Sequence, residues 1–90
     1  MISLYHFKEG TSDKIWGWTK TDDGAISFWG RSRGTMAFKV YHSAYEVTKV
    51  ERSKRDKGYR YIGDGSTASV LPDDFQGQLL LAKLGQVKFA

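Results

Sequence analysis

Between Lys14 and Arg31 the chain reads KIWGWTK, TDDG, AISFWGR, two stretches of period-two alternation on either side of a turn cluster. No other feature of the sequence restricts the fold so tightly. Successive side chains of a strand point to opposite faces, so KIWGWTK puts Trp16 and Trp18 on one face. Asp and Gly tolerate the positive φ that tight turns need, and TDDG therefore predicts a hairpin. AISFWGR is the return strand. If Ile26 and Phe28 point into a core, then Ser27, Trp29 and Arg31 point the other way.

The flanking segments extend the same pattern. MISLYHFKE is rich in β-branched and aromatic residues and reads as a strand, closed by the turn cluster GTSD. After the turn SRG, TMAFKVY alternates again with Met36, Phe38 and Val40 on one side. At Ser43 the period changes. Ser43-Ala44-Tyr45-Glu46 forms a capping box, in which serine and glutamate each satisfy a free amide at a helix start. Ala44, Val47 and Val50 follow at helical spacing, lysines and arginines fill the last turns, and Gly58 is a left-handed stop. YRYIG reads as a short strand returning to the sheet, and DGSTAS as a loop. Pro72, Asp73 and Asp74 mark a second helix start, with Leu71, Phe75, Leu79 and Ala82 on one face and Gly85 as its stop.

The expected class is α+β: a small antiparallel sheet of about four to five strands packed by one main helix, with a second C-terminal helix. Ninety residues make one domain. Residues 1–63 hold the sheet and main helix, and residues 64–90 add a loop and helix packed on the same body. The chain has no cysteine, so neither a disulfide framework nor a thiolate metal site is available. It has no apolar run of membrane-spanning length and no signal-peptide layout. The expected location is intracellular: cytoplasmic in a prokaryote, nuclear in a eukaryote. No membrane partner is expected.

Catalysis finds little support. His6 and His42 are the only histidines, and neither has acidic neighbours at ligand spacing. Asp22-Asp23 belongs to a turn and Asp73-Asp74 to a helix start. IGDGS is glycine-rich but lacks the lysine of a phosphate-binding loop. The expectation is a protein that is not an enzyme, with no catalytic residue, no metal and no cofactor.

Charge is more informative. The net charge is +4, yet the segment from Arg31 to Arg60 carries nine Lys and Arg against three acids, and both flanking thirds are slightly acidic. That asymmetry focuses a positive potential on one region. Within it, Trp29 and Arg31 lie on the same side of a strand end, next to the turn holding Arg33. An indole offers a stacking platform and a guanidinium offers bidentate bonds to phosphate. Gly30 lets the backbone bend or approach a ligand. A bulge that flipped the parity would instead bury Trp29, and both readings stand at this point. Lys39 lies on the following strand, and Lys49, Arg52, Lys54, Arg55 and Lys57 line the main helix. Such a run is either a solvated helix face or a phosphate-tracking surface, depending on whether it lies beside Trp29.

The stretch DKIWGWTKTDDGAISFWGRSRGTMAFKVYHSAYEVTKVERSKRDKGYRYIG resembles the WGR domain, a family named for the tripeptide found here as Trp29, Gly30 and Arg31. DKIW resembles the family's opening strand, FWGRSRG its signature followed by a glycine turn, and SKRDKGY its Lys-rich helix end and closing Gly-Tyr. The likeness spans roughly residues 3–63 in order. The family occurs in poly(ADP-ribose) polymerases, where it contacts DNA near a break, and in bacterial proteins. The resemblance implies Trp29 as the group packing on a terminal nucleotide and Arg31 as a phosphate or interface contact. Two departures stand out. The polymerases couple this domain to a catalytic one that these ninety residues do not contain, and Asp64 to Ala90 lies outside the likeness.

The expected function is a non-catalytic nucleic-acid-binding module for duplex DNA at ends or breaks, with RNA as a competing ligand. The expected binding residues are Trp29, Gly30, Arg31, Arg33, Lys39, Lys49, Arg52, Lys54, Arg55 and Lys57. The alternative is a protein-interaction module, adaptor or inhibitor, using the same Trp and Arg surface. A third feature is the C-terminal helix. Leu79, Leu80, Leu81 and Leu84 exceed what one stripe requires, which suits a dimer surface or a helix buried on both faces.

Overall fold

The computed structural model describes residues 2–64 and 70–83. Alternation becomes five strands and the period change becomes a helix: β1 (Ile2–Glu9), β2 (Ser12–Thr21), β3 (Gly24–Arg31), β4 (Ala37–Tyr41), α1 (Ala44–Asp56), β5 (Arg60–Asp64) and α2 (Phe75–Lys83). The sheet is antiparallel throughout, in the order β4-β3-β2-β1-β5. It is an α+β fold. The rest of the expected loop at DGSTAS (residues 65–69), Leu84 and the stop at Gly85 lie outside the described residues.

The TDDG turn holds as a hairpin, with Thr21 paired to Gly24. Only the glycine takes the positive φ, at 155°, and a Cβ there would lie 2.1 Å from the Tyr41 carbonyl oxygen. Asp22 and Asp23 stay in ordinary conformations, since Arg33 is the only non-glycine with positive φ among the described residues. From this turn the β2–β3 register runs unbroken to Lys14–Arg31 and sets Trp16 opposite Trp29.

Because no bulge interrupts β2 or β3, their side chains divide cleanly between the two faces. One face carries Ile15, Ile26 and Phe28, joined by Ile2, Leu4 and Phe38. They are buried against Met36, Leu71 and the α2 residues Phe75, Leu79 and Ala82. The Phe28 and Phe75 rings meet edge-on, with centroids 4.7 Å apart. Gly17 belongs to this face: a Cβ there would lie 2.5 Å from Cζ of Phe28 and 2.8 Å from the Ser3 carbonyl oxygen. The WGW sequence thus leaves room between its tryptophans for a phenylalanine from the next strand.

The other face carries Tyr5, Trp16 and Ala25 beneath Val47 of α1, bordered by half-buried Trp18, Trp29, Tyr41, Ala44, Val50 and Tyr59. The expected stripe of Ala44, Val47 and Val50 is the side of α1 that meets the sheet. Its start differs in detail from the expected box. Ser43 Oγ accepts from the Tyr45 amide, and the Ser43 carbonyl accepts from the Glu46 amide. α2 begins at Phe75, just after the expected Pro-Asp-Asp start. The Asp74 carbonyl accepts the Gln78 amide, which gives Asp74 the N-cap place.

Candidate nucleic-acid interface

Trp29 keeps the parity expected of it, but the face it points to is the one that α1 covers. The indole is half-buried between β4 and α1 as a result. With Trp16, Ser27, Lys39, Tyr41, Val50 and Lys54 it lines a recess of about 180 Å³. Strand pairing explains the floor and one wall: Ser27 sits opposite Lys39, and Trp29 lies between Trp16 and Ala37. The helix supplies the remaining wall through Val50 and Lys54, one turn apart on the side facing the sheet.

The condition left open by the sequence is met in part. Lys54, from the basic run of α1, lies beside Trp29, together with Lys39 from β4. Just beyond, Arg31 is paired with Lys14 at the end of the β2–β3 ladder. None of these four cations makes an ion pair with a carboxylate among the described residues, where the one short charge contact is His6 with Asp13. Lys39 instead lies over the Tyr41 ring at 5.1 Å, and Lys54 over Tyr59 at 5.2 Å. The Lys54 ammonium is pushed below its ordinary pKa, first by burial and then by repulsion from Lys57 and Lys14.

Other expected binding residues are placed elsewhere. Lys49 and Arg52 line a separate depression with Tyr45 and Thr48 on the outer side of α1. Arg55 is committed inward: its Nε and Nη2 donate to the Tyr5 hydroxyl at 3.0 and 2.7 Å. That hydroxyl in turn donates to Glu51 Oε2 at 2.6 Å, and Trp18 Nε1 donates to the same oxygen at 3.1 Å. Burial, reinforced by the bond to Glu51, raises the Tyr5 pKa against the opposing pull of Arg55. Lys57 is the C-cap residue of α1. The Arg33 amide donates to the Val70 carbonyl and ties its turn to the segment that leads into α2. Gly30 faces the α2 side, where a Cβ would lie 2.8 Å from the Thr35 carbonyl oxygen and 2.9 Å from Cε of Met36. Its missing side chain serves that packing.

Sequence reasoning did not select Lys14, Trp16, Ser27, Tyr41 or Val50 for this site. Lys14 and Trp16 carried a usable signal, because a two-residue turn at Asp22-Asp23 fixes both as the partners of Arg31 and Trp29.

A second cluster forms at the opposite face, near the end of the sheet. His6 Nε2 lies 2.6 Å from Asp13 Oδ1, and the Ser32 hydroxyl donates to the same oxygen at 2.5 Å. His6 therefore has an acidic neighbour, brought by the β1–β2 register, which the spacing along the chain did not suggest. The carboxylate holds the Ser32 hydroxyl, and the distance from Ser32 Oγ to His6 Nε2 is 3.5 Å. In a nucleophilic triad the imidazole bridges acid and hydroxyl; here the acid is the hub. The bonds from Ser32 and then His6 hold the Asp13 carboxyl below its ordinary value. No group of three or more potential metal-ligating side chains occurs among the described residues, and no helix among them is long and apolar enough to cross a membrane.

Comparison with models of known protein families, with curated proteins and with solved structures gives no match.

Proposed function

We propose that this chain is a non-catalytic nucleic-acid-binding module of the WGR type, taking duplex DNA at ends or breaks through the surface around Trp29. The observation that carries the reading is the half-buried indole of Trp29 set among Lys14, Arg31, Lys39 and Lys54, with no carboxylate partner to these cations among the described residues. An aromatic platform bordered by unneutralised cations suits a polyanion with exposed flat bases. Trp29 packs on the terminal nucleotide, and the four cations contact phosphates. Lys49 and Arg52, on the outer side of α1, extend the positive field without touching the recess.

Fluorescence anisotropy with a blunt duplex, and with the same duplex closed by hairpins at both ends, tests this reading. Neutralising about four phosphates gives a slope of log K against log salt near −3.6. The open duplex is expected to bind more tightly, and Trp29→Ala to lose the preference. A salt slope near zero, or no binding at low salt, would refute the reading.

The exposed Leu80 and Leu81 of α2, 57% and 43% accessible, favour a second reading of self-association through this helix. A molecular mass that rises with protein concentration would support it.

A further inference from the structure

Ser27 is 1% exposed, and its hydroxyl has no hydrogen-bond partner among the described residues. Buried hydroxyls are ordinarily paired, because desolvating one without compensation is costly. Packing alone does not call for the oxygen at this position. On the same face and strand, two residues earlier, the chain uses Ala25, which is fully buried. Ser27 lies in the recess that Trp29 borders, where Trp16, Trp29, Tyr41 and Val50 are the apolar lining and Lys39 and Lys54 the charged one.

The dimensions narrow what such a recess can take. Its volume is about 180 Å³. An engineered apolar cavity of about 150 Å³ holds a benzene ring, whereas pockets that enclose whole drug-sized ligands begin near about 300 Å³. One flat ring fills this volume, and the sugar and phosphate of its nucleotide lie outside it. A hydroxyl can both donate and accept. Ser27 Oγ is sealed from a water-sized molecule, so a base edge reaches it once a lining side chain such as Trp29 or Lys39 swings aside. The lysines would then lie where the attached phosphate emerges.

We infer that the recess receives a single unpaired nucleobase, its ring against Trp29, its edge bonded to Ser27 Oγ and its phosphate beside Lys39 and Lys54. This rests on the nucleic-acid reading above and narrows it from a duplex end to the nucleotide protruding from that end.

The test compares three duplexes by anisotropy with the full chain: blunt, with one unpaired thymidine, and with one unpaired abasic nucleotide. The unpaired residue is placed at the 5′ end in one set and at the 3′ end in another. The thymidine at one of these ends is expected to tighten binding about tenfold over blunt, the scale of one stacked base. The abasic nucleotide should bind as the blunt duplex does. Ser27→Ala should abolish most of the gain of the thymidine end over the blunt one, and should unfold at the same temperature as the parent or higher, since it removes an unpaired polar group. Equal binding of thymidine and abasic ends overturns the inference and leaves the duplex-end reading intact. So does retention of the gain in Ser27→Ala, or a fall in its melting temperature, which would make the hydroxyl structural. Failure of every duplex to bind at low salt removes the nucleic-acid reading itself, and the inference with it.

Discussion

On one face of the sheet, Leu4, Ile15, Ile26, Phe28 and Phe38 meet α2 through aliphatic and phenylalanine side chains. On the other, Tyr5, Trp16, Trp18 and Trp29 meet α1, and two of the four rings spend their polar atoms on Glu51. The first face is a core whose energy is area and shape. The second is an aromatic layer whose edges carry hydrogen-bonding groups and whose border is cationic. A small domain needs the first to fold. It can use the second for both packing and recognition, because tyrosine and tryptophan present an apolar body and a polar tip.

The largest expected effect breaks the dry face. Phe28→Ala removes a fully buried ring packed on Phe38 and Phe75 and should cost about 3–5 kcal/mol in denaturant unfolding. If the cost were below about 1 kcal/mol, the area-driven account of this face would fail. Next comes the polar layer. Tyr5→Phe keeps the ring but removes the hydroxyl between Glu51 and Arg55, with an expected loss of about 1.5–3 kcal/mol, as for a hydrogen bond to a charged group. A cost as small as that of an exposed substitution would mean this face is held by area alone.

Smaller effects sharpen the contrast between packing and recognition. Because the folded pKa of Lys54 lies below its ordinary 10.5, its charge opposes folding at neutral pH, and that opposition fades as pH rises through the folded value. Lys54→Met should therefore raise stability by no more than about 0.5 kcal/mol. The same change should make the DNA salt slope shallower by about 0.9. Gain in one assay and loss in the other would separate a functional cation from a structural one. The smallest effect at neutral pH belongs to Asp13. Its lowered pKa adds stability that is complete above the ordinary value of 3.8 and is lost as pH falls through the lower folded value. Asp13→Asn should flatten that acid limb in a pH series of melting curves.

Much of this was legible because strand alternation and turn chemistry are local. The hairpin around Asp22-Asp23, the side on which Trp29 emerges, and the buried face of α2 at Phe75, Leu79 and Ala82 all follow from neighbours in sequence. Which helix would cover which face does not, since both carry an apolar stripe and nothing in either stripe names its partner. That choice decides that Trp29 is half-buried and that Lys54 stands beside it while Lys49 faces outward. The meeting of His6, Asp13 and Ser32 likewise needs three strands in register, and the Ser27 hydroxyl is indistinguishable in sequence from any small strand residue. Gly30, central to the signature tripeptide, shows the limit from the other side: its neighbours suggested a ligand, and the chain uses it to admit Thr35 and Met36.

The route of α1 has a consequence for how the protein moves. The helix leaves β4 at one margin of the sheet and delivers the chain to β5 at the other, so it fastens both outer strands. β1 to β4 can assemble as successive hairpins, whereas β5 pairs with β1 only after the crossing is complete. Its ladder is four residue pairs long and shifts register between Leu4 and Tyr5. Such a short ladder at a margin is where transient opening begins. When it opens, α1 stays tied to β1 and β2, because Glu51 and Arg55 hold the Tyr5 hydroxyl and Glu51 also holds the Trp18 indole. The margin of the sheet can therefore fray while the recess keeps its walls, since β5 contributes no side chain to them.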